Sequence, residues 1–192
     1  MSNITQKWVD VLLPFTSAYD AKLTASDLAR KTGVPQQTAS RILHGLGRKN
    51  LLRYERHGRN KLYSLDLGRE SSKTLLSLLE HEKALVFLRS GNAAAVIIEE
   101  LVQQHAMVVV FGSYANNTAD EKSDLDLLIV GNPPEKSLEG IKARSSLRIS
   151  DHHATEDEVR KLLAERHALA IEIASNHLFF GDISRLTRLF LR

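Results

Sequence analysis

Two short motifs in the stretch VVVFGSYANNTADEKSDLDLLIV carry residue types suited to phosphate chemistry: Gly112-Ser113 and Asp124-Leu125-Asp126. An apolar run at residues 107–111 delivers the chain to Gly112 and Ser113, and a second run, residues 125–130, opens with acids at alternate positions. Alternate residues of a strand share a face. Asp124 and Asp126 therefore point the same way, their Cα atoms about 6.5 Å apart. Carboxylates held side by side repel unless a cation lies between them, and hard cations such as Mg²⁺ take oxygen ligands of this kind. Phosphate oxygens would complete the coordination. Either motif alone is common, an Asp-x-Asp often serving only as a solvated strand entrance with a turn cap. Their joint occurrence, with an apolar strand at each motif and a polar connector between, is the informative signal.

That combination resembles the minimal nucleotidyltransferase domains of the DNA polymerase beta superfamily, whose signature is Gly-Ser, a spacer, then Asp-x-Asp. The resemblance is specific over residues 108–131 and extends from residue 92 to the C-terminus. It implies a nucleoside triphosphate substrate and Mg²⁺ or Mn²⁺ as cofactor. In such a site Gly112 lets the backbone approach the triphosphate, having no Cβ, and Ser113 gives its hydroxyl to a phosphate oxygen. A short helix from Tyr114 would add free N–H groups facing the anion. Asp124 and Asp126 would hold metals that activate an acceptor hydroxyl and stabilise departing pyrophosphate as the α-phosphate is attacked in line.

Two departures from the family pattern are visible. Ala115 is followed by Asn116-Asn117 where members often carry Gly, and Asn tolerates left-handed backbone better than most residues. The third carboxylate of active members lies on a neighbouring later strand. Here that strand is expected at residues 147–154, with Leu147, Ile149, Asp151 and His153 on one face, which makes Asp151 the expected third catalytic and metal-binding acid. Glu156, Asp157 and Glu158 instead suit the first turn of a helix capped by Thr155. His152-His153 lacks the further ligands a zinc site needs, and the chain has no cysteine.

The amino-terminal third is a different object. Thr24 with Asp27 three residues on reads as a helix start, Gly33 as its stop and Pro35 as the opening of a second helix. Val34, Ala39, Ile42, Leu43 and Leu46 follow helical spacing, leaving Gln36, Gln37, Thr38, Ser40, Arg41 and His44 for other faces, where they can reach base edges and phosphates of a major groove. Two strand-like runs, residues 51–55 and 61–65, flank His57-Gly-Arg-Asn60 and predict a basic hairpin carrying Arg53, Arg56, Arg59 and Lys61. Helix, Gly turn, helix and hairpin resemble the winged helix-turn-helix of MarR-like regulators over residues 5–67. An opening helix is expected around residues 4–19.

Charge follows the same division. Residues 1–67 hold 11 Lys or Arg against 5 Asp or Glu, and the remainder 15 against 18, so a chain of net charge +3 concentrates its basic excess in the first part. Such an excess favours a sequence-independent grip on phosphates. Leu75, Leu76, Leu78, Leu79, Leu85 and Leu88 predict a connecting helix that ends near Gly91.

The expected fold class is α+β: a winged helix-turn-helix DNA-binding domain at 1–67, a connecting helix at 68–91 and a minimal nucleotidyltransferase α/β domain at 92–192. There is no apolar run long enough to span a membrane, which with the absence of cysteine points to a cytoplasmic protein. The expected partners are double-stranded DNA, a nucleoside triphosphate and a second copy of the chain in a homodimer. The acceptor of a transferred NMP could be a protein. Two other readings remain open at this level: a transcriptional regulator that senses nucleotide with weak turnover, and an antitoxin-type nucleotidyltransferase acting on a partner toxin.

Overall fold

The computed structural model describes residues 2–104, 107–131 and 137–191. The chain divides into two compact units, Met1–Leu79 and Glu80–Arg192. The division falls inside one helix, α4 (Glu70–Leu88), rather than at a loop.

The first unit opens with α1 (Ser2–Leu12), which passes into a 3₁₀ turn, Leu13–Thr16. The expected opening helix is thus cut short at Pro14, whose ring and missing N–H do not allow an α-helix interior. Helix α2 (Ala25–Thr32) starts at a capping box in which Thr24 accepts from the Asp27 N–H and Asp27 accepts from the Thr24 N–H. Gly33 ends it at φ +71°, a left-handed cap that costs glycine nothing. Helix α3 (Gln36–Arg48) buries Ala39, Ile42, Leu43 and Leu46 on one stripe, the spacing that the sequence shows.

Strands β1 (Leu52–His57) and β2 (Asn60–Leu65) form an antiparallel hairpin with His57 opposite Asn60. Gly58 takes φ +60° at the two-residue turn. Leu23 bridges to Tyr63 through two backbone hydrogen bonds of 2.8 and 2.9 Å, adding a short third strand to the wing. In α4, Leu76 and Leu79 are buried while Leu78, Leu85 and Val86 stay exposed. Ser72, fully buried, donates its hydroxyl to the Leu51 carbonyl at 3.0 Å.

The second unit centres on a four-stranded sheet of order β5-β4-β3-β6. Its strands are β3 (Met107–Phe111), β4 (Leu125–Val130), β5 (Ile149–Ala154) and β6 (Leu178–Gly181). Strand β3 is antiparallel to β4 and β6, whereas β4 and β5 run parallel. Every residue of β3 is buried, so both faces of the sheet centre are covered. Around it lie α5 (Ala93–Gln104), the single turn α6 (Gly112–Ala115), α7 (Ser137–Arg144), α8 (Glu156–Ala164), α9 (Ala168–Ser175) and α10 (Ile183–Phe190). The expected Thr155–Glu158 capping box opens α8.

A buried polar cluster fastens α4 within this unit. Glu80 has no solvent exposure and receives Lys83 at 2.8 Å, and His177 Nε2 stands 3.3 Å from Glu80 Oε1. His177 Nδ1–H donates to the Ile173 carbonyl at 2.8 Å, and the ring stacks on Phe179 with centroids 4.1 Å apart. Burial pulls the His177 imidazole below its ordinary value and Lys83 reinforces that direction. Burial pushes the Glu80 carboxyl up, yet His177 and Lys83 together hold it below its ordinary value. Among the described residues no helix is long and apolar enough to cross a membrane.

Candidate functional site

Register decides which side chains meet. Phe111 lies opposite Asp126 on the β3–β4 ladder, and Asp126 lies beside Ser150 on the β4–β5 ladder. Residues in register on adjacent strands share a face, and alternate residues along each strand repeat it. One face therefore carries Asp124, Asp126, Phe111, Arg148, Ser150 and His152. The other carries Leu125, Leu127, Ile149, Asp151 and His153.

The chain leaves β3 at Gly112 with φ +66°, in the left-handed region that favours glycine. A Cβ there would run into the Asp126 carboxylate, whose Cγ would be only 3.3 Å away. Ser113 follows in α6, and Asn117 closes the loop at φ +56°. Asparagine thus adopts the left-handed angle for which family members often use glycine. The helical turn begins at Gly112, two residues earlier than Tyr114.

Asp126 is half-buried. Burial raises its carboxyl above the ordinary aspartate value and the nearby Asp124 charge adds to the rise, while a Ser150 hydrogen bond and His152 oppose it. Asp124 meets Arg148 at Nε–Oδ1 2.9 Å. That pair is an ion pair without hydrogen-bond alignment, for Asp124 Oδ1 is shielded from solvent and accepts no hydrogen bond among the described residues. A shielded carboxylate oxygen that accepts no hydrogen bond, beside a second carboxylate packed against Gly112, fits a divalent cation with a phosphate group approaching it. Asp124 and Asp126 would be its protein ligands.

Asp151 does not join them. It lies on the opposite face, bound to Lys142 of α7 and 2.8 Å from His153 Nε2. Burial pushes its carboxyl up, but Lys142 and His153 outweigh burial and hold it below the ordinary value. The expected alternation of Ile149, Asp151 and His153 is present; the face it occupies is the one away from the Asp pair. Ser150 and His152 stand where a third acid was expected, with the His152 ring 6.0 Å from that of Phe111. Among the described residues no group of three or more His, Asp or Glu is disposed to hold a metal ion.

In the first unit, Gln36, Gln37, Ser40, Arg41 and His44 line one shallow surface depression on α3, and Thr38 is half-buried beside them. On the wing, Arg56 and Lys61 are cross-strand neighbours and Arg59 sits in the turn. Lys61 lies 4.3 Å over the Tyr54 ring. Arg53 occupies the opposite face of the hairpin and bonds Ser64 at 3.2 Å, so the four basic residues do not form one cluster. Sequence reasoning missed Arg148, whose only signal was its place two residues before Ser150, just ahead of the edge strand β5.

A family model described as the nucleotidyltransferase domain matches residues 94–177, and one described as the MarR family matches residues 3–61. Among solved structures the chain is similar to the crystal structure of an IclR family transcriptional regulator from Brucella abortus, at 21% identity and a TM-score of 0.33. The match covers 76% of this chain and 61% of that one, so the chain spans less than two thirds of that protein's length. No relative was found among curated proteins. With the helix-turn-helix and wing in the first unit and the Gly-Ser turn and Asp pair on the second unit's sheet, this chain joins a MarR-family winged-helix domain to a nucleotidyltransferase domain.

Proposed function

We propose that this protein binds double-stranded DNA through its winged helix and a metal–nucleoside triphosphate at the Gly112-Ser113 turn, and that it transfers NMP to an acceptor hydroxyl. The observation that carries the second half is the shielded Oδ1 of Asp124, which accepts no hydrogen bond among the described residues, beside Asp126, whose carboxylate packs against Gly112 where a Cβ would lie. A bound Mg²⁺ or Mn²⁺ supplies Lewis-acid stabilisation of charge on the phosphates. Asp124 and Asp126 would hold that ion, Gly112 would admit the triphosphate, and Ser113 would donate its hydroxyl to a phosphate oxygen. The acceptor hydroxyl's oxygen bonds to the α-phosphorus, its proton passing to water, as the bond to the α,β-bridging oxygen breaks, and pyrophosphate leaves with that bond's electron pair.

The position of Asp151 favours a second reading, in which nucleotide is bound and turned over slowly to report its level to the DNA-binding domain. Two carboxylates hold the cations of such a site less firmly than three. Metal-dependent label transfer from each of the four triphosphates separates the two readings.

The Asp124→Asn, Asp126→Asn double variant is expected to lose metal-dependent nucleotide binding, measured by calorimetry. Asp151→Asn is expected to keep it, and to lose only about 1 kcal/mol of stability as its ion pair with Lys142 goes. Because the folded carboxyl sits below its ordinary value, that contribution is full above pH 3.8 and fades as the pH falls below it. Nucleotide binding unchanged in the double variant, or lost in Asp151→Asn, would place the site elsewhere.

For the winged helix, Arg56→Ala with Arg59→Ala should weaken DNA binding across all sequences and reduce the salt slope by about 2, one for each phosphate no longer neutralised. An unchanged slope would mean that the wing does not touch phosphate.

A further inference from the structure

We propose that Arg148 is a triphosphate-binding residue held in reserve: it guards Asp124 while the site is empty and turns to the phosphates when metal and nucleotide arrive. The inference rests on the reading of the Asp pair as a metal site. Register puts Arg148 on the Asp face, since Leu125 pairs with Ile149 and Asp126 with Ser150. The Arg148 backbone is pinned, its carbonyl accepting from the Leu125 N–H at 2.8 Å. Its side chain is not: it is 80% exposed, at the entrance to the edge strand β5.

The contact with Asp124 has the marks of a temporary one. Nε is 2.9 Å from Oδ1 yet no aligned hydrogen bond forms, so charge rather than directed bonding holds the guanidinium there. No other partner of the guanidinium is found among the described residues. A guanidinium has five N–H donors in a planar fork suited to phosphate, and an arginine built only to support Asp124 would present that fork to both carboxylate oxygens.

Charge sets the exchange. Two carboxylates share this half-buried face, and Arg148 offsets one of them. A divalent cation on the pair would offset both and repel the guanidinium, while the triphosphate it brings supplies several anionic oxygens within the sweep of a long side chain. Nucleotides with fewer phosphates would offer Arg148 less, so the residue would also favour triphosphate over monophosphate.

Calorimetry on the full chain tests this with Mn²⁺ alone, then with each ribonucleoside triphosphate or monophosphate at saturating Mn²⁺. Arg148→Ala is expected to bind Mn²⁺ alone as tightly as the unaltered protein or several-fold more tightly. Its triphosphate affinity should fall about 10- to 100-fold, with monophosphate affinity little changed, and Arg148→Lys should recover part of the loss. Unchanged triphosphate affinity in Arg148→Ala would overturn the proposal, as would loss of Mn²⁺ binding, which would make Arg148 a mere support for Asp124. In either case Mn²⁺ binding that is abolished by Asp124→Asn with Asp126→Asn leaves the metal site standing. Mn²⁺ and triphosphate binding that survive that double variant would sink the site reading itself.

Discussion

Replacing Gly112 by alanine is expected to lower any metal-dependent nucleotide transfer by about 100-fold, because the new methyl group and the Asp126 carboxylate claim the same space. The backbone at φ +66° already disfavours any L side chain by about 1–2 kcal/mol. Relief by rotating the backbone would turn Ser113 and the α6 N–H groups away from the phosphates. Relief by moving Asp126 would displace a metal ligand, and a misplacement of about 1 Å in such a constellation costs on the order of 100-fold. Either route harms the same chemistry. Steady-state transfer assays paired with thermal melts separate the two effects: the melting point should fall by several degrees, as about 1–2 kcal/mol requires, while the protein stays folded at the assay temperature and the activity loss is large. A variant with unaltered nucleotide affinity would show that phosphate does not approach Gly112.

Glu80→Ala is expected to destabilise the second unit by about 3–5 kcal/mol, a large share of the stability of a domain this size. The substitution takes away the carboxylate that the mostly buried Lys83 and the buried His177 both meet, with the His177 ring held against Phe179. Unpartnered buried charge is the costly part; an apolar replacement of the whole cluster would be far milder. Because Trp8 is the only tryptophan and lies in the first unit, its fluorescence follows that unit alone. Hydrogen exchange of the β3 and β4 amides follows the second unit. Faster exchange there with an unchanged tryptophan transition is the expected pattern, and exchange within a few tenths of a kcal/mol of the unaltered protein would rule it out.

The features legible in the sequence are those settled within a few residues. Thr24 with Asp27 and Thr155 with Glu158 cap helices as written, since a capping box closes over one turn. Gly33 and Asn117 take left-handed angles because their neighbours demand a turn there. Asp124 and Asp126 share a face because a strand alternates, whatever lies beside it. The winged helix was legible for the same reason: its apolar stripe on α3 and its Gly58 turn are local patterns.

Asp151 shows where that logic stops. Alternation correctly groups it with Ile149 and His153, but which of two faces that group occupies depends on the hydrogen-bond register between β4 and β5, and a slip of one residue would reverse it. Arg53 repeats the lesson on the wing, where cross-strand pairing separates it from Arg56. The Glu80–His177 contact joins positions 97 apart, and no local pattern announces it. By itself the sequence determined the two kinds of domain, the helix-turn-helix with its wing and the shared face of the Asp pair, because short-range sterics and hydrogen bonds fix turns, caps and alternation. Only the tertiary structure decided that Arg148, Ser150 and His152 rather than Asp151 face that pair, because strand register is set by the packing of the whole sheet.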